Sequence, residues 1–242
     1  MPIEIVPVPA FNDNYLWLAH DPESGSTAVV DPGDGEVVLA AAAERGWIID
    51  KIFNTHWHPD HTGGNRRVKE AIGATLYGPA AEGAKIAGLD VPLREGDRVR
   101  IGKHEAEVWE VPGHTLGHIA YVFRDDGLAF VGDTLFAMGC GRLFEGTAAQ
   151  MFHSLGRIAE LPEATRLYPA HEYTLSNARF SAHAAPGDAA VAQRLEKIAA
   201  MRDRGEITLP TTVSEERATN LFVRAGTVEE FARLRTMKDN FA

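Results

Sequence analysis

Short apolar runs alternate with clusters of turn residues along roughly the first 170 residues of the chain. Such runs, rich in β-branched and aromatic residues and bounded by Gly, Pro, Asn and Asp, are typical of strands. Two pairs of runs also have the spacing of β-hairpins. The pattern predicts strands at Glu4–Val8, Tyr15–Ala19, Thr27–Val30, Lys51–Asn54, Arg98–Ile101, Glu105–Val111, Ile119–Phe123 and Leu128–Val131.

Helical spacing, in which apolar residues recur every three or four positions, dominates the chain after Tyr173, and two helices are also expected among the strands. The pattern predicts helices at about Glu36–Arg45, Asn65–Ala71, Ala178–Ala184, Ala189–Arg204 and Thr227–Met237. The first two lie among the strands, whereas the last three follow one another after Tyr173. We therefore expect an α/β domain over residues 1–172, followed by a small helical domain over residues 173–242.

Charge and composition restrict the partners. The chain has 24 Lys and Arg against 34 Asp and Glu, a formal charge of −10, which disfavours a nucleic-acid partner because such proteins usually present a basic face. No apolar run approaches the ~18 residues of a membrane helix, and the first residues do not resemble a secretory signal. The lone Cys140 cannot form an internal disulfide, as is usual in a reducing compartment. We expect a cytoplasmic protein without membrane or nucleic-acid partners, monomeric by default.

One short segment, Thr55–His61, carries unusually dense chemistry. Its sequence Thr-His-Trp-His-Pro-Asp-His contains three histidines and one aspartate within six residues. On an extended backbone, His56 and His58 point the same way and can reach one metal ion. Asp60 and His61 follow Pro59, which redirects the chain towards a second ion. Imidazole and carboxylate ligands suit zinc, iron and manganese.

Four ligands do not complete two ions, so further donors are expected. His114 and Asp133 follow predicted strands, and His171 follows the apolar run Leu167–Ala170, which we interpret as a further strand. Each begins a loop, and sites in α/β proteins are usually built there. Two divalent ions with two carboxylates and a hydroxide would leave one positive charge, which favours a developing oxyanion. A metal-bound water is also a hydroxide source near neutral pH. The sequence thus predicts a dinuclear hydrolase.

These residues resemble the metallo-β-lactamase superfamily over about 170 residues. The residues on which this resemblance rests are Thr-His-x-His-x-Asp-His at 55–61, Pro-Gly-His-Thr-x-Gly-His at 112–118, Gly-Asp-Thr at 132–134 and His171. The resemblance implies an α/β fold of the αββα sandwich type. It also implies that His56, His58 and His114 bind one metal, that Asp60, His61 and His171 bind the other, and that Asp133 bridges them.

Further motifs resemble the glyoxalase II family, and with them the resemblance covers essentially the whole chain. They are Phe-Asn-Asp-Asn-Tyr at 11–15, Gly-Cys-Gly-Arg-Leu-Phe-Glu-Gly at 139–146, Pro-Ala-His-Glu-Tyr-Thr at 169–174, Thr-Asn-Leu-Phe at 219–222 and Arg-Thr-Met-Lys-Asp at 235–239. The resemblance implies that glutathione is bound by Arg142, Phe144, Tyr173, Arg235 and Lys238. Arg142 stands where lysine is frequent, and Phe144 where tyrosine is frequent, so one hydroxyl contact is missing.

The implied activity is hydrolysis of the thioester in S-(2-hydroxyacyl)glutathione, with S-D-lactoylglutathione giving D-lactate and glutathione, the second step of methylglyoxal detoxification. A hydroxide bridging two divalent ions, zinc first and iron or manganese as alternatives, would attack the carbonyl, and Asp60 and Asp133 would be the catalytic carboxylates. Arg235 and Lys238 share a predicted helix face, which suits an anionic ligand; without the resemblance a solvated charged face is the simpler interpretation.

Other interpretations remain open at this stage. The nearest is a glutathione persulfide dioxygenase of the same superfamily; a lactamase or lactonase and a non-enzymatic binding module are further ones. Catalysis by Cys140 or by Ser154 is the competing hydrolase route, although Ser154 lacks the first glycine of a nucleophile elbow. Asp31 could orient a ligand histidine or simply form a turn before Pro32. His118 is a candidate neighbour of a ligand.

Overall fold

The computed structural model describes residues 1–241. They form two compact units: unit 1 comprises Met1–Glu110 and Gly117–Gly132, and unit 2 comprises Val111–Leu116 and the chain from Asp133 onward. The strands are β1 (Glu4–Ala10), β2 (Asn14–His20), β3 (Thr27–Val30), β4 (Ile49–Phe53), β5 (Thr75–Pro79), β6 (Val91–Leu93), β7 (Arg98–Ile101), β8 (His104–Glu110), β9 (Ile119–Phe123), β10 (Leu128–Gly132), β11 (Leu135–Phe136), β12 (Gly139–Cys140), β13 (Arg166–Pro169) and β14 (Thr211–Thr212).

The helices are α1 (Gly35–Ala43), α2 (Pro59–Thr62), α3 (Asn65–Ile72), α4 (Ala148–Ala159), α5 (Thr174–Ala184), α6 (Ala189–Asp203), α7 (Val213–Thr219), α8 (Leu221–Arg224) and α9 (Val228–Asp239), with a short 3-10 helix at Ala80–Glu82. Within residues 1–241, every helix is too short or too polar to cross a lipid bilayer.

A mixed sheet organises the start of unit 1. Its strand order is β1–β2–β3–β4–β5–β6, antiparallel from β1 to β3 and parallel from β3 to β6. Parallel neighbours need crossover connections, and α1 and α3 supply those between β3, β4 and β5. Val38 and Ala42 of α1 and Val68 of α3 pack against the buried residues of these strands. The sheet therefore fixes where β4 ends and the histidine-rich segment begins.

The other strands of unit 1 form antiparallel hairpins. β7 pairs with β8, β8 with β9, and β9 with β10. Every residue of β9 and β10 is buried, which explains their unbroken apolar sequence. Unit 2 begins its own strands directly afterwards, with the two-residue hairpin strands β11 and β12 and the pair β13–β14.

All eight predicted strands, all five predicted helices and the mixed α/β class are confirmed, but several further elements were not predicted. The sequence pattern missed β5, β6, β11, β12, β14, α2, α4, α7 and α8, and placed the start of α5 at Ala178 rather than at Thr174. For α4 the cause is composition, because Gly, Ser and His interrupt its apolar face. A signal was present nonetheless: Thr147 and Gln150 form a reciprocal capping box at its N-terminus, a recognised start signal for a helix.

Candidate metal centre

A first cluster, defined as His56, His58, Asp60 and His61, follows β4. The expected extended backbone stops at Phe53, so a bend rather than a strand carries His56. Even so, His56 Nε2 lies 3.0 Å from His58 Nδ1, and the two rings are edge to face with centroids 4.7 Å apart. Two imidazoles this close can present nitrogen atoms to a common ion.

Helix α2 places the second half of the first cluster. Pro59 occupies its first turn, where a missing N–H costs nothing and the fixed φ suits a helix. Asp60 and His61 then share one turn, with Asp60 Oδ2 3.4 Å from His61 Nε2. The chain leaves through Gly64, where a Cβ would lie 2.3 Å from the carbonyl oxygen of Pro32. Glycine is needed there for close backbone approach, not for an unusual torsion.

Side chains next to the ends of β3 and β9 contact the first cluster. Asp31, with φ at 50°, accepts hydrogen bonds from the Thr55 backbone N–H and hydroxyl, both at 2.7 Å. Its Oδ2 also lies 3.1 Å from His61 Nδ1. Asp31 therefore contacts a ligand candidate as well as shaping the turn. The buried ring of His118 stacks on His56, with centroids 4.7 Å apart.

Asn14 is a member of the site that the sequence did not suggest. Its Nδ2 donates to Asp60 Oδ2 at 3.1 Å, which fixes one oxygen of the single carboxylate in the first cluster. In the sequence, Asn14 stood out only as a turn residue and as part of the family motif at residues 11–15, and no role in the site was assigned to it. The turn is present, but the asparagine already belongs to β2.

A second cluster, defined as His114, Asp133 and His171, lies in unit 2. Asp133 Oδ2 is 3.3 Å from His114 Nε2, and Asp133 Oδ1 is 3.4 Å from His171 Nε2. Each carboxylate oxygen thus faces a different imidazole. The other ring nitrogen of His114, Nδ1, lies 2.9 Å from the carbonyl oxygen of Arg142. A carbonyl can only accept, so Nδ1 carries the hydrogen and Nε2 is left as the donor atom for a metal.

The donor chemistry of the two clusters fits divalent metal ions. His56, His61, His114, Asp133 and His171 are at most 6% exposed, and charged or polar groups this deeply buried need a strong partner. The His and Asp side chains form groups that could hold an ion. Imidazole nitrogen and carboxylate oxygen are the ligand types of zinc, iron and manganese sites.

A cationic group, defined as Arg142, Arg235 and Lys238, is also found in unit 2. Arg235 donates to Asp239 Oδ1 at 2.8 Å, and Arg142 Nε lies 3.8 Å from the same oxygen. Lys238 donates to Ser176 Oγ at 3.0 Å. Burial lowers the pKa of Lys238 to about 8, and the guanidinium groups of Arg235 and Arg142 act in the same direction. Arg235 is only 5% exposed, so a simple solvated face is wrong for this residue.

Two aromatic side chains lie beside the second cluster. Phe144, 63% exposed, meets His114 edge to face with centroids 5.3 Å apart. Tyr173 stacks on His171 at 4.7 Å with the rings nearly parallel. Both provide apolar surface next to ligand candidates, where part of a small molecule could pack.

The competing nucleophiles do not have the surroundings of catalytic groups. Burial raises the pKa of the Cys140 thiol to about 11, whereas reactive cysteines need a lowered pKa and access to solvent. Ser154 is 1% exposed, and its hydroxyl donates to the carbonyl oxygen of Pro112 at 2.8 Å. Both side chains therefore serve packing.

Two family models match the chain and together cover most of it. One, described as the metallo-beta-lactamase superfamily, matches residues 12–171, and the other, described as the hydroxyacylglutathione hydrolase C-terminus, matches residues 172–241. The hydroxyacylglutathione hydrolase of Methylococcus capsulatus is 49% identical over 232 residues, covering 96% of this chain and 91% of its own.

Solved structures agree on the fold. The crystal structure of ETHE1 from Myxococcus xanthus is 26% identical with a TM-score of 0.72, covering 98% of this chain and 90% of its own. The crystal structure of TTHA1623 in a di-iron-bound form is 27% identical with a TM-score of 0.63, covering 90% and 99%. The predicted metallo-β-lactamase-type fold with a helical C-terminal region is confirmed. The chain belongs to the metallo-β-lactamase superfamily and, within it, to the hydroxyacylglutathione hydrolase family.

Proposed function

We propose that this enzyme hydrolyses the thioester of S-(2-hydroxyacyl)glutathione, with S-D-lactoylglutathione as substrate and D-lactate and glutathione as products. The observation that carries the proposal is the double use of Arg142. Its carbonyl oxygen fixes the ring of His114, while its side chain belongs to the cationic group. One residue thus contacts a candidate metal ligand through its backbone and contributes through its side chain to a group of cations that can bind carboxylates. The relative that is 49% identical is itself named a hydroxyacylglutathione hydrolase.

We further propose that the two clusters bind two divalent ions. In this proposal His56, His58 and His114 would hold one ion, Asp60, His61 and His171 would hold the other, and Asp133 would serve both. Support comes from Asp133, whose two oxygens each face a different histidine, as a bridging carboxylate requires. Zinc is the first candidate metal; iron and manganese use the same ligands, and a related structure is described in a di-iron-bound form.

When bound, such ions supply Lewis acidity and a hydroxide nucleophile at neutral pH. The protein's own side chains do the rest. Asp60, oriented by Asn14, would accept a hydrogen bond from the hydroxide nucleophile and align it with the thioester carbonyl. Asp31 keeps the ring of His61 in place through Nδ1. The thiolate is a good leaving group, so the reaction does not need a strong general acid.

Residues 173–242 are proposed to bind the glutathione arm. Arg235 and Lys238 are placed on α9, and with Arg142 they offer positive charge to the carboxylates of the tripeptide. Tyr173 and Phe144 add apolar contact. Phe144 supplies a ring but no hydroxyl, so the affinity for this arm rests more heavily on the cations. Monomeric state and a cytoplasmic location stay predictions from composition.

The test combines metal analysis with turnover on one sample. Metal-replete protein should carry about two ions per chain and hydrolyse S-D-lactoylglutathione. His153→Ala, a change at an exposed histidine of α4, is the matched control and should retain both properties. Fewer than one ion per chain, or no thioester cleavage by loaded protein, would contradict the proposal. Oxygen consumption with glutathione persulfide would instead favour the dioxygenase alternative.

A further inference from the structure

The hairpin Leu135–Cys140, which carries β11 and β12, is bonded by side chains from later helices in addition to its own strand pairing. Its backbone groups bond as follows: Asn220 Nδ2 donates to the carbonyls of Phe136 (3.3 Å) and Gly139 (2.9 Å), Asn177 Nδ2 to that of Ala137 (3.1 Å), Ser181 Oγ to that of Met138 (3.5 Å), Arg235 Nη1 to that of Cys140 (2.9 Å), and the Met138 N–H donates to Glu216 Oε2 (2.8 Å). Helices α5, α7 and α9, with the N-cap of α8, therefore determine the conformation of this hairpin.

Glu216 and Asn220 form the centre of this arrangement. They are 1% and 0% exposed, and Asn220 Nδ2 also donates to Glu216 Oε2 at 2.8 Å. The second oxygen of Glu216 accepts from Arg194 at 2.6 Å, so the buried carboxylate is paired. Such fully satisfied polar networks are rigid and fix one local structure. The strain they hold is visible at Met138, a non-glycine residue with φ at 57°.

The hairpin lies between Asp133 and the loop that contacts His114. At Gly141 a Cβ would lie 2.0 Å from the carbonyl oxygen of Asp133 and 3.1 Å from His114 Nδ1. The chain therefore passes very close to both ligand candidates directly after the hairpin. The next carbonyl, that of Arg142, accepts from His114 Nδ1 at 2.9 Å. A displacement of the hairpin would move this carbonyl and turn the imidazole ring.

We propose that Asn220, acting with Glu216, is a positioning residue for the metal ligand His114. It holds the hairpin, the hairpin places the Arg142 carbonyl, and that carbonyl sets the direction of His114 Nε2. Groups that orient a metal-binding histidine typically change metal affinity or activity by about 10- to 100-fold when removed. The inference rests on the proposed two-metal function, and gives the Thr-Asn-Leu-Phe motif at 219–222 a role besides packing.

The test must distinguish this positioning role of Asn220 from a purely structural role as a helix cap. Its Oδ1 accepts from the Phe222 N–H at 3.0 Å as the N-cap of α8. Asn220→Ser keeps a capping oxygen but removes the amide that donates to the hairpin. Val191→Ala is the matched control, because Val191 is fully buried in α6 and its truncation destabilises the helical region through a cavity instead.

The experiment measures metal release to a chelator and the visible spectrum of cobalt-substituted full-length protein, alongside melting temperature. Asn220→Ser is expected to release one of two ions about 10-fold faster than wild type or faster, with an altered cobalt spectrum, a lower kcat and nearly unchanged KM. Val191→Ala should melt earlier but release metal at the wild-type rate and keep the wild-type spectrum.

Asn177→Ser, which removes only the bond to Ala137, provides a second variant should Asn220→Ser not fold. It should shift metal release in the same direction by a smaller factor. Wild-type release rates and spectra in both hairpin variants, or equal changes in Val191→Ala, would overturn the inference. A wild-type protein that binds two ions keeps the proposed function standing in that case, whereas one that binds fewer than one ion refutes the proposed function itself.

Discussion

The two clusters of ligand candidates are built in opposite ways. The first gathers its members from Thr55–His61, so one bend and the short helix α2 are enough to bring them together. The second collects His114, Asp133 and His171 from three separate loops; the carbonyl oxygen of Arg142 orients His114, and Asp133 and His171 face each other through their side chains. A local cluster tolerates changes elsewhere in the fold, whereas a cluster assembled from distant loops inherits the stability of everything that holds those loops.

Asp133→Ala is expected to cause the largest loss of bound metal and of kcat, and His58→Ala is the variant with which it is compared. Asp133 faces both other members of the second cluster, so its loss should remove most of both ions and lower kcat by more than the ~100-fold upper range for an orienting residue. His58→Ala should leave one ion bound. Metal quantification after gel filtration, with kcat on the same sample, checks this; retention of two ions by Asp133→Ala would contradict the bridging role.

A smaller loss of metal affinity or of kcat is expected for Asp31→Asn, which tests the hydrogen bonds that hold the first cluster in place. An amide cannot accept all the hydrogen bonds that Asp31 accepts from Thr55 while also facing His61 Nδ1. We expect metal affinity or kcat to fall about 10- to 100-fold. Asp34→Asn, at the N-cap of α1, keeps a good cap and is the control. A wild-type metal affinity in Asp31→Asn would reduce Asp31 to a turn-forming role.

Lys238→Ala should act on substrate binding and leave the metals in place. A charge-assisted hydrogen bond contributes about 1.5–3 kcal/mol, so KM for a glutathione thioester should rise about 10-fold or more, with kcat little changed. Arg233→Ala, an exposed position on the same helix, should behave as wild type. Equal losses in both variants would argue against a specific site for the anionic substrate.

The pH dependence of KM provides a second test of whether the charge of Lys238 binds the substrate. Because the pKa of Lys238 is lowered to about 8, the charge is lost above that pH and KM should rise there; Lys238→Arg, which stays charged, should not show this rise. Between pH 8 and 10.5 the unfolded chain holds a proton that folded Lys238 has released, so this residue makes the fold more stable as pH rises. Unfolding at this residue therefore cannot explain the effect on KM.

The smallest change in activity is expected for Cys140→Ser. The thiol is buried with its pKa raised to about 11; Arg235 donates to the carbonyl of this residue at 2.9 Å and contacts its Sγ at 3.7 Å, and a serine hydroxyl can accept in place of the sulfur. We expect kcat/KM within about 2-fold of wild type, since removal of a group outside the chemistry costs little. Complete loss of activity with normal metal content would revive covalent catalysis.

The difference between the clusters also explains what the sequence could predict. Spacing alone identified His56–His61, because ligands a few residues apart meet through local geometry. Strand ends pointed to His114, Asp133 and His171. Of the groups that orient ligand candidates, Asp31 was named from the sequence, but two others could not be found, since Arg142 acts through its backbone carbonyl and Asn14 through a tertiary contact. Backbone acceptors carry no residue signature, and α4 escaped because its apolar face is interrupted.

The hairpin Leu135–Cys140 has a consequence for how the enzyme matures during translation. Every proposed metal ligand has been synthesised once His171 is made, but Glu216, Asn220 and Arg235, which hold the hairpin, are still to come. A nascent chain at that stage already contains the local first cluster, while the Arg142 carbonyl is not yet anchored against His114. Full metal loading is therefore expected to wait for the last helices, so that an incomplete chain emerging from the ribosome stays catalytically silent.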